Sequence, residues 1–513
     1  MTARSTSLSL VITLAVMLVA TCCYGFYLVY PTVIFDSDHA IVGVMAKDLV
    51  EGRMIPWTYY GQKYMLAVEA WAVALSFMVG GVSLSALKAP LLVVNLVTVA
   101  LLLYLLRRDA RMSLAKAALA TMPLIAPPVV LSAHLMANTG ANPWVLMYVA
   151  LIWLLRGRPI TLGLMLGAAY FQREFVLMGF LALICTDVLE TGSVVIKGRL
   201  RARMITLMIA FATYHILVGI GQFSPEFVGV GTPRPHMVDA GQFGQNFMYL
   251  LTTLMPPLLG MDTLPASAYG ILTNLPTEPL AWLLVNVALV GAVKLATLVS
   301  LWQDRRSLLR SSRLSLPLYL IIAAVGQVML YALFIAKNDT VLVRYVLMVP
   351  LALVGVFALA LLEAERHVSK RGAVMITVAI LSLTLSNLAE TARMAYAQSK
   401  TPVTLPAVSI AEYLVDHGYH YGWANYWDAY AVSFISNERV IISGSDHSRV
   451  TRYRELLKSH ENEAFVLVNT ERLDQPGQPG HCEDQNVPVI EGRQVCPLRR
   501  FRGDVLESRI KIP

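Results

Sequence analysis

Long runs of apolar residues recur along this chain, separated by short polar segments. Spanning the ~30 Å hydrocarbon core of a bilayer takes about twenty apolar residues in a helix. The pattern therefore predicts a series of membrane-spanning helices. The predicted spans lie near residues 8–30, 89–106, 113–134, 143–156, 204–223, 279–301, 316–336, 345–362 and 373–389.

Two further apolar stretches leave the number of spans open. Residues 159–187 are long enough for two short helices, with Phe171-Gln172-Arg173-Glu174 in the middle as a turn. Residues 64–81 are apolar as well, and their length fits either a span or a helix lying on the membrane surface. The apolar pattern alone does not decide between these arrangements.

The positive charges decide it, because Lys and Arg in short loops favour the cytoplasmic side. Basic patches occur at residues 107–111, 156–158, 197–203, 304–313 and 366–371. With the N-terminus inside, all five are cytoplasmic only if 64–81 does not cross and 159–187 crosses twice. We therefore predict about eleven spans, a C-terminus outside, and one outer loop at 31–88 that contains an interfacial helix.

Composition supports a polytopic α-helical membrane protein. The chain is 56% hydrophobic and only 14% charged, with a mean hydropathy of +0.60, whereas soluble chains carry about 25% charged residues. The net charge of +8 resides in patches between apolar runs, so we do not expect nucleic-acid binding. The first apolar run exceeds a typical signal-peptide core and no small-x-small motif ends it, so we expect it to stay attached.

The composition becomes that of a soluble domain from about Leu388. Alternating helix-like and strand-like segments predict a small α/β domain, so the predicted division is a transmembrane domain at 1–388 and an outer domain at 389–513. Cys482 and Cys496 lie in its Gly- and Pro-rich tail. They form a disulfide if this segment faces an oxidising compartment; otherwise they are two free thiols. The segments are 407–417, 419–423, 439–443, 452–460 and 464–469.

Ionisable and polar residues collect on the predicted outer face, several of them beside apolar runs. A charge in such a place is costly unless it is paired or functional. The pattern is typical of a site at the lipid boundary. These residues are Asp36, Asp38, His39, Lys63, Glu69, Lys88, His134, Asn138, Asn142, Arg173, Glu174, Lys337, Asp339 and Arg344.

Asp36 and Asp38 open the long outer loop. A carboxylate near apolar surroundings can act as a general base, and two Asp at i and i+2 can bind a divalent metal. The alternative is that Asp38 caps a helix predicted to begin at Ala40, since Asp is a favoured N-cap residue. The local sequence leaves these readings open.

Arg173 and Arg344 have the side chain that binds two phosphate oxygens at once. The alternatives are a structural pair of Arg173 with Glu174 and an interfacial position for Arg344. His134 at a predicted helix end is compatible with a structural role. Glu69 is expected to pair with a base such as Lys63 or Lys88, because an unpaired buried carboxylate is costly.

The first outer loop resembles that of GT-C glycosyltransferases, a family that includes protein O-mannosyltransferases and lipid A aminoarabinose transferases. The resemblance rests on three segments and on the surface helices, the short-helix pair and the outer soluble domain. The segments are Phe35-Asp36-Ser37-Asp38-His39-Ala40-Ile41, Met45-Ala46-Lys47-Asp48-Leu49-Val50-Glu51-Gly52 and Tyr60-Gly61-Gln62-Lys63-Tyr64-Met65.

The resemblance implies transfer of a sugar from a polyprenyl-phosphate donor with inversion, with Asp38 as the base that deprotonates the acceptor. His39 stands where the family commonly has Glu. Arg173, Arg344, Tyr345 and Lys63 are then expected to hold the donor phosphate. The residues expected to contact substrate are Asp36, His39, Tyr60, Gln62, Glu69, His134, Asn138 and Glu174.

The second outer loop carries Asn138 and Asn142, where oligosaccharide-transferring relatives have an acidic residue. The resemblance therefore implies transfer of a single sugar with no required metal, although a divalent ion at Asp36 and Asp38 stays open. The acceptor is a glycan, lipid or protein on the periplasmic side of a bacterial inner membrane.

Other functions stay open: an oligosaccharide transferase of the same fold, a transporter or flippase for a polyprenyl-linked substrate, and a receptor acting through the outer domain. A transporter is expected to carry charges midway through its spans and often inverted repeats, and neither is evident. In the outer domain, four aromatic residues form either its core or a sugar-stacking surface. They are Trp423, Tyr426, Trp427 and Tyr430.

Overall fold

The computed structural model describes residues 3–138, 140, 142–191, 197–223, 237–260, 313–334, 343–366, 370–469, 481–482 and 487–502. The predicted span at 279–301, together with Lys337 and Asp339, lies outside these residues. The chain divides into two compact units. We call them the helical unit (Met1–Tyr30, Lys88–Leu217 and Pro233–Pro402) and the mixed unit (Pro31–Leu87, Val218–Thr232 and Val403–Pro513).

Helices predominate in the first four hundred residues, and strands become frequent after them. The helices are α1 (Ala3–Val29), α2 (Ser37–Val50), α3 (Val68–Gly80), α4 (Leu84–Arg108), α5 (Leu114–Ile125), α6 (Val129–Leu135), α7 (Asn142–Leu155), α8 (Pro159–Gln172), α9 (Val176–Thr191), α10 (Lys197–Gly221), α11 (Ala240–Tyr249), α12 (Met255–Leu258), α13 (Ser315–Phe334), α14 (Val349–Arg366), α15 (Lys370–Lys400), α16 (Pro406–Asp416), α17 (Tyr426–Ile435) and α18 (Thr451–Ser459). The strands are β1 (Thr58–Tyr59), β2 (Gln62–Leu66), β3 (Tyr421–Ala424), β4 (Ile441–Gly444), β5 (Phe465–Asn469), β6 (His481–Cys482), β7 (Val489–Ile490), β8 (Arg493–Pro497) and β9 (Phe501–Arg502).

Six helices in the described ranges are long and apolar enough to cross a membrane, which makes this a multi-pass membrane protein. The predicted pair of short helices in 159–187 is confirmed as α8 and α9, which meet at residues 173–175. The predicted count of eleven and the orientation stay predictions. The six spans are Ser7–Val29, Leu84–Arg108, Gly198–Gly221, Ser315–Phe334, Val343–Leu362 and Ala373–Lys400.

The predicted span at 113–134 consists of two helices, α5 and α6, which meet at a bend of 80°; its crossing of the membrane stays a prediction. Pro127 and Pro128 lie at the break, and proline lacks the N–H that a continuous helix needs. Three backbone carbonyls around the break accept hydrogen bonds from side chains of other helices, as buried backbone groups require. The donors are Tyr24 to Leu124 O (2.9 Å), Tyr27 to Val129 O (3.1 Å) and Asn387 to Ala126 O (2.9 Å).

Helix α13 packs against α9 and α14 in the helical unit. Its contact with α14 is close at Gly355, where an added Cβ would lie 2.6 Å from Pro317 O. On the other side, Tyr319 donates to Val149 O of α7 at 2.7 Å. Small residues and satisfied hydroxyls of this kind bring membrane helices into contact.

The mixed unit contains a five-stranded sheet in the order β4-β3-β5-β8-β7. Strands β4, β3 and β5 are parallel, whereas β8 pairs antiparallel with β5 and β7. The predicted α/β domain is confirmed, and each of the five predicted segments overlaps a helix or a strand. Cys482 and Cys496 form a disulfide, which confirms that alternative.

The first loop and the C-terminal residues share one apolar core. Its members include residues of α2 and α3 as well as residues of α16, α17 and the sheet. Gly43 of α2 approaches α17 so closely that an added Cβ would lie 2.3 Å from Phe434 Cε2. The predicted boundary at 388/389 falls inside α15, which continues to Lys400; the assignment of the two predicted domains to membrane and outer face stays a prediction.

An ion-pair network ties the first loop to the C-terminal residues. Glu438 accepts from Lys47 (2.8 Å), Arg53 (2.7 Å) and Arg452 (2.6 Å). Asp48 lies 3.1 Å from Arg53 Nε and 2.9 Å from Arg452 Nη2. Since Asp48 is fully buried, its charge is compensated by these partners.

Candidate functional site

The N-terminus of α2 is capped by Asp36 and not by Asp38. Asp36 Oδ1 accepts from His39 N–H at 3.2 Å, and Asp36 N–H donates to His39 Nδ1 at 2.9 Å. This reciprocal capping box satisfies two backbone N–H groups that the first turn would leave unpaired. The helix begins at Ser37, not at Ala40, so the capping alternative proposed for Asp38 is wrong.

Asp38 lies in the first turn of α2 and is half-buried. Tyr426 of α17 donates its hydroxyl hydrogen to Asp38 Oδ1, and Tyr59 of β1 donates to the backbone oxygen of Asp38 at 2.6 Å. Burial, and after it the charge of Asp38, raises the pKa of Tyr426 well above its usual range. The Tyr426 hydroxyl therefore stays protonated and acts as a donor.

Arg449 lies on the far side of Tyr426. Its guanidinium stacks over the Tyr426 ring, with Cζ 5.2 Å from the centroid. When the Gln62 amide is turned so that its oxygen faces Arg449, that oxygen accepts from Nη1 and, at 2.9 Å, from Nη2. Burial lowers the pKa of Arg449, but Tyr426, Tyr59 and Asp38 together raise it above its usual value, so Arg449 is a cation.

The other predicted residues of the loop have different surroundings. Tyr60 is fully buried and donates to Asp48 Oδ2 at 2.7 Å, so the structure places it in the core and corrects its assignment to a substrate surface. Glu69 is buried on α3. The pKa of Tyr59 is raised by burial, then by the charge of Asp38, and then by the charge of Glu69, so Glu69 lies close to Tyr59. Lys63 is in β2, but its side chain lies outside the described part of the chain.

Arg173 and Arg344 are brought together in the helical unit by two aromatic rings. Arg173 ends α8 and stacks over Phe175, with Cζ 5.2 Å from the centroid. Phe175 meets Tyr345 edge to face at 5.6 Å, and Arg344 Cζ lies 5.4 Å from the Tyr345 centroid. We call these four residues the arginine–aromatic set. Such stacking fixes the plane of each guanidinium.

Three further predicted residues belong to the helical unit. His134 is buried within electrostatic range of Arg344, and its Nδ1 lies 2.8 Å from Val130 O. Asn138 is fully buried, whereas Glu174 is exposed at the turn between α8 and α9. Gln172, which was not predicted, is buried beside Arg173 and accepts a hydrogen bond from Tyr148.

The four aromatic residues predicted to form either a core or a sugar-stacking surface have different surroundings. Trp423, Tyr426 and Tyr430 are buried and belong to the core, whereas Trp427 is 55% exposed. Trp427 lies next to the first turn of α2, because its backbone oxygen accepts from Ser37 Oγ at 2.8 Å.

Asp36 and Asp38 have different hydrogen-bond partners in this arrangement. Asp36 is used by its own helix cap, and Asp38 Oδ1 by Tyr426. In the part of the chain that the structure describes, no three His, Cys, Asp or Glu side chains cluster as metal ligands would.

Sequence reasoning missed Tyr59, Tyr426 and Arg449 as neighbours of Asp38. In the sequence, Tyr426 stands out only as one of four aromatic residues, and Tyr59 adjoins the predicted Tyr60. Arg449 carries no signal of its role, because nothing near it in the sequence marks it out. Phe175 was also missed, although it follows Arg173 by two positions.

The comparisons with known proteins agree with this architecture. No protein-family model matches the sequence, and no curated protein matches it significantly. Among solved structures, the apo crystal structure of ArnT from Cupriavidus metallidurans aligns with a TM-score of 0.57 and 12% identity, covering 96% of this chain and 98% of that one. The structure of the same protein bound to undecaprenyl phosphate aligns with a TM-score of 0.55 and 11% identity over the same shares. The chain therefore has the GT-C fold.

Proposed function

We propose that this protein is an inverting glycosyltransferase that moves a single sugar from a polyprenyl-phosphate donor to an acceptor. The observation that carries the proposal is Asp38, a half-buried carboxylate held at the start of α2 in a chain that aligns with ArnT over 96% of its length. We further propose that the reaction takes place on the periplasmic side of a bacterial inner membrane.

In the proposed reaction, Asp38 accepts the proton of the acceptor hydroxyl. The oxygen then forms a bond to the anomeric carbon from the face opposite the phosphate. The bond between that carbon and the phosphate oxygen breaks, and its electron pair leaves with the polyprenyl phosphate. A positioned carboxylate within about 3 Å of the hydroxyl suits such general-base catalysis.

The arginine–aromatic set supports the donor side of the proposal. Departure of the phosphate develops negative charge, and cations that bind this charge more strongly in the transition state accelerate the step. Arg173 and Arg344 supply two cations whose planes are set by Phe175 and Tyr345. The undecaprenyl phosphate bound by ArnT is the type of lipid that we propose for this chain.

The decisive experiment compares strains that carry the wild-type gene, no gene, and the variants Asp38→Asn and Asp416→Asn. Asp416 is an exposed carboxylate in the same unit, so its substitution is the matched control. Surface glycans and lipids are analysed by mass spectrometry. We expect a sugar increment with the wild type and Asp416→Asn, and none with Asp38→Asn at equal protein level.

The same measurement separates the competing functions. Full transfer by Asp38→Asn would contradict the proposed base. An increment of several sugars at once would indicate an oligosaccharide transferase. If Asp38→Asn transfers normally while loss of the gene leaves the lipid-linked donor on the cytoplasmic side, the protein is a transporter or flippase.

A further inference from the structure

A pocket of about 600 Å³ in the helical unit is lined by residues of α1, α4 and the start of α5. Its volume falls within the range of roughly 300–1,000 Å³ that ligand pockets have. One part of the lining is apolar and includes Met17 of α1 and Leu103 of α4. The other part carries three arginines, Arg107, Arg108 and Arg111. The pocket therefore offers an apolar surface and a cationic surface to one ligand.

Two of these arginines have no carboxylate partner among the described residues. Asp109 accepts from Arg108 Nε at 2.7 Å and lies 3.1 Å from Arg156 Nη1, so two cations already share its charge. In the part of the chain that the structure describes, no carboxylate oxygen lies within 4.0 Å of the charged groups of Arg107 and Arg111. Their positive charge is available to an anion from outside the chain.

The cationic part of the pocket is held in shape by the turn that follows α4. Met112 N–H donates to Leu106 O at 3.2 Å and closes the turn that contains Arg111. Arg108 stacks over Tyr104, with Cζ 5.1 Å from the ring centroid. Tyr104 is 52% exposed, and a tyrosine beside arginines at the end of an apolar helix is typical of the boundary between hydrocarbon and water.

An exposed apolar stripe continues from the pocket along α4. Val93, Val97, Ala100 and Tyr104 are all exposed, and their spacing of three or four residues places them on one face of the helix. Helix α4 is long and apolar enough to cross a membrane, so this face is available to lipid chains. A soluble anion has no part that fits such a stripe, whereas a phospholipid has.

We propose that this pocket binds an anionic phospholipid, whose phosphate is held by Arg107 and Arg111 and whose acyl chain lies along the stripe on α4. A guanidinium fork binds two phosphate oxygens at once. A headgroup with a net negative charge matches the two arginines, whereas the amine of a zwitterionic headgroup offsets its own phosphate. The site goes beyond the proposed transfer reaction and does not depend on it.

The test is native mass spectrometry of the full-length protein in detergent, titrated separately with phosphatidylglycerol and phosphatidylcholine of identical acyl chains. We expect the wild type to bind phosphatidylglycerol at least about fivefold more tightly. Arg107→Gln and Arg111→Gln are each expected to weaken that binding about fivefold, the effect of one basic residue near an anionic lipid surface, and to leave phosphatidylcholine binding unchanged. Arg158→Gln removes an exposed arginine outside the pocket and is the matched control.

A second variant tests the apolar part without changing the charge. Ala100→Trp fills the pocket and is expected to weaken phosphatidylglycerol binding, whereas Leu181→Trp, at an exposed apolar position of α9, is expected to have no effect.

Three outcomes overturn the proposal. Equal affinity of the wild type for the two lipids would show unselective lipid contact, and Arg107→Gln and Arg111→Gln binding like Arg158→Gln would show that the anion binds elsewhere. Displacement of the lipid by inorganic phosphate but not by chloride at equal ionic strength, with normal binding by Ala100→Trp, would identify a site for free phosphate. Asp38→Asn is expected to bind phosphatidylglycerol like the wild type, so failure of the proposed transfer reaction is a separate result.

Discussion

At the scale of single residues, the arginine–aromatic set shows how a membrane protein holds cations at a fixed orientation. Arg173 is 8% exposed, and its flat face is covered by Phe175. Stacking uses the face of the guanidinium and leaves the N–H groups at its edge pointing in one plane. Lysine has neither a planar head group nor a fork of N–H donors, so Lys cannot replace Arg at such a position without loss.

Arg173→Lys and Arg173→Ala are therefore both expected to weaken binding of undecaprenyl phosphate, by about tenfold or more for Ala and by less for Lys. The measurement is native mass spectrometry of the purified protein titrated with that lipid. Arg158→Ala, an exposed arginine at the other end of α8, is the control. Equal binding by Arg173→Ala and the control would contradict a phosphate-binding role.

Sequence reasoning singled out Asp38, Arg173 and Arg344 as candidates because their charges adjoin apolar runs, where a charge is costly unless it is paired or functional. No such rule predicts which residues contact these three side chains. Tyr426 lies 388 positions from Asp38 and Arg449 lies still further along the chain, and aromatic rings are as common in cores as in sites. Tyr60 was misplaced for the same reason, since its hydroxyl found a buried partner in Asp48.

At the scale of elements, α2 and α17 form the contact on which the site depends. Phe434 of α17 fills the space above Gly43, and Phe35 and Phe77 confine its ring at centroid distances of 5.9 and 6.2 Å. The ring therefore has no room to move aside. A side chain at residue 43 must push the two helices apart.

Gly43→Ala is expected to destabilise the mixed unit by about 1–3 kcal/mol, because overpacking outweighs the ~1 kcal/mol that Ala contributes to helix propensity. The check is thermal unfolding in detergent, together with transfer activity. Gly80→Ala is the matched control, since its added Cβ would lie 3.9 Å from Ala86 Cβ in ordinary contact. A Gly43→Ala protein as stable as the control would refute the close packing.

Most helices were predictable from hydrophobic periodicity, but α11 and α17 were not predicted. The ten residues of α17, Tyr426–Ile435, are rich in aromatic and small side chains that suit strands as well as helices. The helix begins there because the side chain of Asn425 accepts from Trp427 N–H (2.9 Å) and Asp428 N–H (3.2 Å). The bend between α5 and α6 was not predicted either, although Pro127 and Pro128 mark its position in the sequence.

At the scale of the whole molecule, the GT-C fold persists at 12% identity over 96% of the chain. Such a fold is specified by the order of apolar segments and by a few buried polar contacts, which tolerate wide changes elsewhere. In the mixed unit, Asp48 and Glu438 supply contacts of this kind. Both carboxylates bridge chain segments that are far apart in sequence.

This network predicts how stability depends on pH. Burial raises the pKa of Glu438, but Arg53, Arg452 and Lys47 lower it far below its ordinary value of 4.5. A lowered folded-state pKa contributes stability above pH 4.5, and that stability is lost as the pH falls toward the folded-state value. Burial raises the pKa of Asp48, which acts in the opposite direction, but its shift is the smaller one.

The unfolding temperature of the wild type is therefore expected to fall between pH 5 and pH 3. Glu438→Gln should lose about 3 kcal/mol at pH 7, because three cations lose their shared partner, and should show a flatter pH dependence. Scanning calorimetry in detergent at a series of pH values measures both. Parallel pH curves for the two proteins would show that another group governs acid unfolding.

The shared core of the first loop and the C-terminal residues also has a consequence for biosynthesis. The ribosome completes Tyr426 only 388 residues after Asp38, which takes roughly 20 to 80 s at 5–20 residues per second. During that interval the loop has emerged without the surface that covers its apolar side chains. A nascent chain of this protein therefore depends on a holding chaperone throughout that interval. Slowed translation is expected to lower the yield of folded protein even when the sequence is wild type.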